Sequence, residues 1–269
     1  MDESPTSLVL IVDFSSFSWN TASFSSTCLF DSLLSLISLY FNLNHQNKIC
    51  VIFVSSSDCP TIYSSPTYYS TLTELDQISR SFRSFSTTPF QPSNPSFHVL
   101  TSALLKSLLW LTKESSTMNY SKQIAVLSLN DSPPSSSSSS FADLFSVAFS
   151  AKKLNIPIDV TCIGTLLYPL QQISFISNGS LFTLPLGECS TPSILSTSVL
   201  SLLSLSALVP AHIRSTVPVN QVSTVDLRAY CSCHSNLIDL GFICTNCLSI
   251  ACKQGPFCPS CKSRISLIR

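Results

Sequence analysis

Two cysteine pairs late in the chain, Cys244-x-x-Cys247 and Cys258-x-x-Cys261, have the spacing of a tetrahedral metal site. A C-x-x-C turn aims two thiolates at one point. Two such turns complete the four-sulfur shell that zinc prefers, with Zn–S of about 2.3 Å. Little apolar material lies nearby, so the metal would supply the folding energy of this segment. In a reducing compartment this reading outweighs disulfides. Three more cysteines and a histidine stand in the same stretch: Cys231, Cys233, His234 and Cys252. They form a candidate second site, cross-braced and RING-like, in which the earlier group joins Cys252. Two features count against it. Gly255 stands where Cys252 would have its partner, and adjacent Cys233 and His234 are awkward to use together. A second zinc and a buried thiol cluster both stay open.

The other five of the 12 cysteines (Cys28, Cys50, Cys59, Cys162 and Cys189) are scattered, as small buried hydrophobes usually are. Asp13, at the end of an apolar run and followed by Ser15 and Ser16, resembles the D-x-S-x-S loop with which von Willebrand A domains hold a divalent ion through hard oxygens. Phe17 occupies the place of the second serine, so the expectation is an ordinary turn aspartate and no working ion site. With only five glycines there is no phosphate-cradling loop, and no G-x-S-x-G elbow occurs. His45, His98 and His212 read as structural or solvated, and acidic residues are too sparse for a general acid/base pair. The expectation is a protein that is not an enzyme.

Lys+Arg and Asp+Glu balance at 14 each, which excludes a global field for nucleic acid or acidic lipid. Charged residues are 10% of the chain, and serine and threonine take over much of the surface role. The longest apolar stretch, Val199 to Val209, is interrupted by Ser201, Ser204 and Ser206 and is far short of the ~20 residues a bilayer requires. Asp2 and Glu3 stand where a secretory signal would be basic. These features point to a soluble intracellular protein.

The elements that must position the cysteines alternate. Leu8 to Val12 and Lys48 to Ser55 read as buried strands, and a helix from Thr27, as N-cap, to Leu43 joins them. Ser56 to Ser70 reads as a loop, with a short helix from about Thr71 to Phe85; Pro89, Pro92 and Pro95 then forbid regular structure. Helices at Phe97 to Thr112, Phe141 to Leu154, Leu166 to Ser177 and Pro192 to Leu208 alternate with strands at Gln123 to Leu129, Ile156 to Cys162 and Ser180 to Leu184. Such alternation predicts an α/β fold with a mostly parallel sheet between helices. The serine run Ser135 to Ser140 reads as a surface loop. Residues 1–210 form the α/β domain, 211–227 a linker, and 228–269 the zinc module. In that module Leu237, Ile238, Leu240, Phe242, Ile243, Leu248 and Ile250 exceed what so small a core can hide, which predicts a docking face. Arg228, Lys253, Lys262, Arg264 and Arg269 outnumber Asp226 and Asp239, which allows at most a weak DNA contact.

The run Arg228-Ala-Tyr-Cys-Ser-Cys-His-Ser-Asn-Leu-Ile-Asp-Leu-Gly-Phe-Ile-Cys-Thr-Asn-Cys-Leu-Ser-Ile-Ala-Cys252, then Pro256-Phe-Cys-Pro-Ser-Cys261, resembles the zinc finger of the subunit 3 family of general transcription factor IIH, subunit 4 in the yeast naming. Leu8 to Trp19, Asn47 to Ser55, Ala151-Lys-Lys-Leu-Asn-Ile-Pro-Ile-Asp159 and Leu170-Gln-Gln172 extend the likeness over nearly the whole chain; it is weakest at Ser56 to Ser96. The resemblance implies a von Willebrand A-like doubly wound domain followed by a C4 zinc finger. It implies a nuclear, non-catalytic subunit of the factor IIH core complex, bound to a larger sister subunit with its own von Willebrand A and RING-like domains. Helicases of that complex would do the chemistry of promoter opening and nucleotide excision repair. Two rival readings are a RING-type ubiquitin ligase and a zinc-ribbon nucleic-acid-binding protein. A metal-dependent ligand-binding A domain is the third.

Overall fold

The computed structural model describes residues 5–16, 26–55, 57–65, 76, 78–82, 97–114, 120–130, 142–184, 192–209, 227–234, 236–247 and 249–264. A six-stranded sheet is built on β1 (Thr6–Ser16), whose residues Leu8 to Val12 are wholly buried on both faces. Its parallel neighbours are β2 (Lys48–Val54) and β4 (Ser121–Asn130), with Leu10 opposite Val51 on one side and Ala125 on the other. Beyond β4 lie β5 (Ile158–Gly164) and β6 (Leu181–Leu184), also parallel. The sheet has one further strand, β3 (Thr61–Ser64), and the strand order is β3-β2-β1-β4-β5-β6.

Successive residues of a strand face opposite sides, and β1 shows what each side meets. Leu8, Leu10 and Val12 join a core with helices α1 (Ser26–Leu43) and α5 (Pro192–Ala207). Val9 and Ile11 join the core beneath α2 (Phe97–Glu114), α3 (Ala142–Lys153) and α4 (Tyr168–Ile176). Helix α1 supplies Leu29, Leu33, Leu36, Ile37 and Tyr40 from one stripe. Its return to β2 is pinned by Asn47, whose Oδ1 accepts from Thr6 N at 2.9 Å and whose Nδ2 donates to Tyr40 O at 2.9 Å. The sheet is thus doubly wound, as the alternation predicts. Asp13 lies near the carboxyl end of β1, where the strand order reverses.

Two details depart from expectation. Thr27 lies inside the first turn of α1, which starts at Ser26, and so is not the N-cap. The segment read as a loop holds β3 (Thr61–Ser64), an edge strand antiparallel to β2 with Val51 opposite Tyr63. It is held by α2, where Trp110 Nε1 donates to Ser64 Oγ at 2.9 Å. Pro157 stands just before β5, an interior strand, and its carbonyl still accepts from Ile124 N at 3.0 Å. Of the helix expected at 71–85, Asp76 and residues 78–82 are helical; the prolines at 89, 92 and 95, the serine run and almost all of the linker lie outside the described residues. No helix among the described residues is long and apolar enough to cross a membrane.

The cysteine-rich part folds as two short antiparallel ladders: β7 (Ala229–Tyr230) with β8 (Leu237–Ile238), and β9 (Phe242–Ile243) with β10 (Ile250–Ala251). Gln172 Nε2, on α4, donates to Arg228 O at 3.0 Å where this part begins.

Candidate metal centre

Each ladder and the segment after them contributes a turn of one design. Cys231 N donates to Asn236 O, Cys244 N to Ser249 O and Cys258 N to Ser263 O, each at 2.9 Å. Each turn therefore opens on a cysteine and closes on the carbonyl five residues later, turning the side chains at its first and fourth positions to the same side. In the second and third turns those are Cys244 with Cys247 and Cys258 with Cys261. In the first they are Cys231 with His234.

The two C-x-x-C turns meet face to face. Cys244 Sγ lies 3.8 Å from Cys261 Sγ, and Cys247 Sγ lies 3.6 Å from Cys258 Sγ. The four sulfurs all fall within 4.8 Å of one another. A tetrahedron of thiolates around zinc has an edge of about 3.8 Å. The residues present fit such an ion. The first turn meets Cys252, which follows β10: Cys252 Sγ is 3.4 Å from His234 Nδ1, and Cys231 Sγ is 3.9 Å from it. A mixed sulfur and nitrogen shell needs about 3.6 Å. Cys233 supplies the fourth atom, again with all four inside 4.8 Å. Cys233 and His234, adjacent in sequence, both reach this group, His234 from the fourth position of its turn.

The two groups interleave along the chain. Cys231, Cys233 and His234 skip past Cys244 and Cys247 to reach Cys252, while the latter pair reaches past Cys252 to Cys258 and Cys261. Metal ions held by groups in this order would cross-brace the module.

The backbone prepares these sulfurs for charge. Burial alone would push the Cys231 thiol up, but N–H groups of Cys233, His234 and Cys252 and the His234 ring bring it down to about 6. The Cys233 and Cys252 amides stand 3.3 Å from that sulfur. Cys244 is lowered by the N–H groups of Cys247 and Asn246. Cys258 is lowered, against its burial, by the Ser249 hydroxyl and the N–H groups of Cys261 and Ser260. Cys261 is lowered chiefly by the Ser263 hydroxyl. Cys233 and Cys247 are raised, mainly by burial. Two of the scattered cysteines behave otherwise: burial in the sheet pushes Cys50 and Cys162 up to about 12, which makes them inert packing. Ser249 and Ser263 were not singled out in the sequence, although each stands five residues into its turn in a repeated C-x-x-C-x-S; Ser249 Oγ is 3.2 Å from Cys258 Sγ and Ser263 Oγ is 2.9 Å from Cys261 Sγ.

The strand-end aspartate is a different case. Asp13 Oδ1 accepts from Ser15 N at 2.9 Å, where the β1–β4 register shifts, and the residue is buried. Beside it Phe14 packs edge-on against Phe53 with ring centroids 5.2 Å apart. Among the described residues no group of three ligating side chains forms around it, and Phe17 lies outside them. Burial raises the Asp13 carboxyl above its ordinary 3.8, only partly offset by the Ser15 backbone and hydroxyl. A carboxyl raised on folding contributes stability that is fullest below the unfolded value and is lost as pH rises through the folded one. Asp13→Asn, which keeps the acceptor and drops the charge, should therefore raise the melting temperature at pH 7, with the gain shrinking toward pH 4. A variant less stable than the parent at pH 7 would contradict this, and would point to a cation beside the carboxylate.

The family model described as Transcription factor Tfb4 matches residues 5–262. The chain is 27% identical over 273 residues to the general transcription and DNA repair factor IIH subunit TFB4 of Arabidopsis thaliana, covering 95% of this chain and 87% of that protein. It is 24% identical over 286 residues to the corresponding subunit, tfb4, of Schizosaccharomyces pombe, with coverage of 99% and 91%. Among solved structures, the TFIIH p34 N-terminal domain superposes with a TM-score of 0.56 at 18% identity, over 74% of this chain and 98% of that one. The SpRpn10 VWA domain gives 0.52 at 18% identity, over 72% and 94%. The α/β part thus has the von Willebrand A fold.

Proposed function

The chain belongs to the Tfb4 transcription factor family, and from that membership we propose that it is a non-catalytic structural subunit of the general transcription and DNA repair factor IIH core complex. Residues 1–210 form the surface for the larger sister subunit, with its own von Willebrand A and RING-like domains; 211–227 are a linker; 228–269 are a zinc module. Cys244, Cys247, Cys258 and Cys261 hold one zinc, and Cys231, Cys233, His234 and Cys252 hold a second. The metal does no chemistry on a substrate. It joins turns that have little apolar surface to bury, at a gain of about 10–16 kcal/mol per structural site. The protein works in the nucleus beside the helicases of the complex, in transcription initiation and nucleotide excision repair, and meets DNA weakly or indirectly.

The observation that carries this reading is the joint one: a family match across 5–262 and two interleaved ligand clusters of metal-binding size. Co-purification through the tagged full chain tests it. The sister subunit should be recovered in equal amount, and its absence would overturn the proposal. Elemental analysis of the purified chain should find two zinc ions; one would remove the Cys231 site, and none would remove both.

The cross-brace also favours a second reading, a RING-type ubiquitin ligase. In vitro ubiquitin transfer with a panel of conjugating enzymes separates the two: sustained ligation by the chain would displace the structural reading.

A further inference from the structure

The zinc module leaves uncovered a surface that its own core does not use. Leu240 is 89% exposed, Ile243 62%, Phe257 60% and Phe242 49%. Phe242 and Ile243 are consecutive on β9 and so point to opposite faces, yet neither is covered. Between β9 and the third turn runs a groove of about 100 Å³, lined by Phe242, Ile243, Lys253 and Phe257 and bordering Cys244 and Cys258 of the C4 cluster. That is the room of about three waters, enough to seat one apolar side chain. Large apolar groups this exposed on so small a unit mark an interaction surface.

The charges say what kind. No aspartate or glutamate occurs from Leu240 to Arg264, whereas Lys253, Lys262 and Arg264 are all present and exposed. Lys253 lies in the groove wall. Arg264 pairs with Phe257 in an isolated antiparallel bridge, so a cationic residue stands opposite the one that carries the exposed ring. The surface is an apolar strip with a cationic rim, and Asp239, the carboxylate next to Leu240 in the chain, is paired with Arg228 at 3.9 Å.

We infer that this groove docks a segment of a partner polypeptide that carries an apolar anchor flanked by carboxylates. A charged rim of this sort fixes register and speeds encounter, while the anchor in the pocket holds the contact. Single-stranded nucleic acid is the poorer match. Phe242 and Phe257 offer platforms for bases, but Leu240 and Ile243, equally part of the strip, are aliphatic, and Lys253, Lys262 and Arg264 are few for a phosphate track. The inference rests on the structural-subunit reading for the source of the partner.

The test is zero-length carbodiimide cross-linking of the complex purified through the full chain, which joins an amine only to a carboxylate in contact with it. Lys253 or Lys262 should be found joined to an aspartate or glutamate of another polypeptide, within a few residues of an apolar side chain. In the double variant Ile243→Ser, Phe257→Ser the yield of that product should fall about tenfold, the loss of roughly 1.4 kcal/mol of binding. Unchanged zinc content shows that the variant is folded, since both side chains lie outside the ligand sets. Three results overturn the inference: cross-links confined to this chain or to a second copy of it, a cross-link indifferent to the double variant, or protection of the two lysines that nuclease abolishes. If no polypeptide co-purifies, both readings fall; if a complex is recovered but these lysines join nothing outside the chain, the groove alone does.

Discussion

Replacing Cys244 with serine should remove bound zinc and unfold residues 228–264 while the six-stranded sheet keeps its own cooperative melt. Cys244 is buried in the module, and its sulfur faces Cys261 at 3.8 Å. A serine oxygen is shorter, harder and protonated at neutral pH, so it replaces neither the reach nor the charge of the thiolate. The module has little else to fall back on. Among the described residues its buried apolar side chains are three cysteines and Ala251; Leu237, Ile238 and Ile250 are half-buried, and Leu240, Phe242, Ile243 and Phe257 are exposed. Binding worth about 10–16 kcal/mol is then most of what folds it. The interleaved layout spreads the damage, because β9 and β10 carry ligands of both clusters at their ends. Zinc content should drop toward zero rather than by half. The sheet is another matter. The hydrogen bond from Gln172 to Arg228 links the two parts, and about 1 kcal/mol from such a bond is too little to make them melt together. Elemental analysis with a far-ultraviolet melt decides it: loss of the sheet transition would show one energetic unit, and retention of both metals would show that Cys244 is no ligand.

The largest effect in the α/β part is expected at Gly179. This residue carries the chain from α4 into β6, and a Cβ placed on it would sit 1.9 Å from the carbonyl oxygen of Ile158 and 2.5 Å from its carbon. Both are backbone atoms at the head of β5, so no side chain can rotate away. The surrounding turn is tied on every side: Gly179 N donates to Ser174 O, Ser180 N to Asp159 Oδ1, and Val160 N to Ser180 O, all at 2.8 Å. Gly179→Ala must therefore push β6 off β5 or shift the start of β5. Overpacking of this kind costs about 3 kcal/mol or more. That corresponds to a fall of roughly 6–12 °C in the melting temperature of a domain this size. Gly255→Ala is the control, since its nearest atom would be Phe257 O at 3.6 Å, an ordinary contact. It should stay within about 0.5 kcal/mol of the parent. Equal tolerance of the two alanines would mean that the close approach at Ile158 is not a constraint.

The sheet was legible in the sequence wherever burial was complete. Runs such as Leu8 to Val12 can only be strands packed on both faces, and the stripe of leucines in α1 and α2 can only be amphipathic helix. Strand β3 was not legible. Between Pro60 and Pro66 only Ile62 and Tyr63 are apolar, and two adjacent residues show no alternation; the strand exists because β2 offers an open edge and α2 covers it. The C4 cluster could be read from spacing alone. The second could be named as four residues but not decided between a zinc site and a buried thiol cluster, because C-x-C-H breaks the familiar spacing. What settles its geometry is the closure of Cys231 on Asn236, matching the closure of the other two turns. The serine that follows each C-x-x-C at the same distance was the available clue to that shared design.

The interleaving of the ligands also ties the two groups into one topological unit. The stretch from Cys244 to Cys252 lies inside both ligand loops, Cys231 to Cys252 and Cys244 to Cys261. An ion held by either group would shorten the loop that the other has to close, and a shorter loop closes at a smaller entropic cost. Uptake and release of metal should therefore be cooperative, the two groups filling and emptying together.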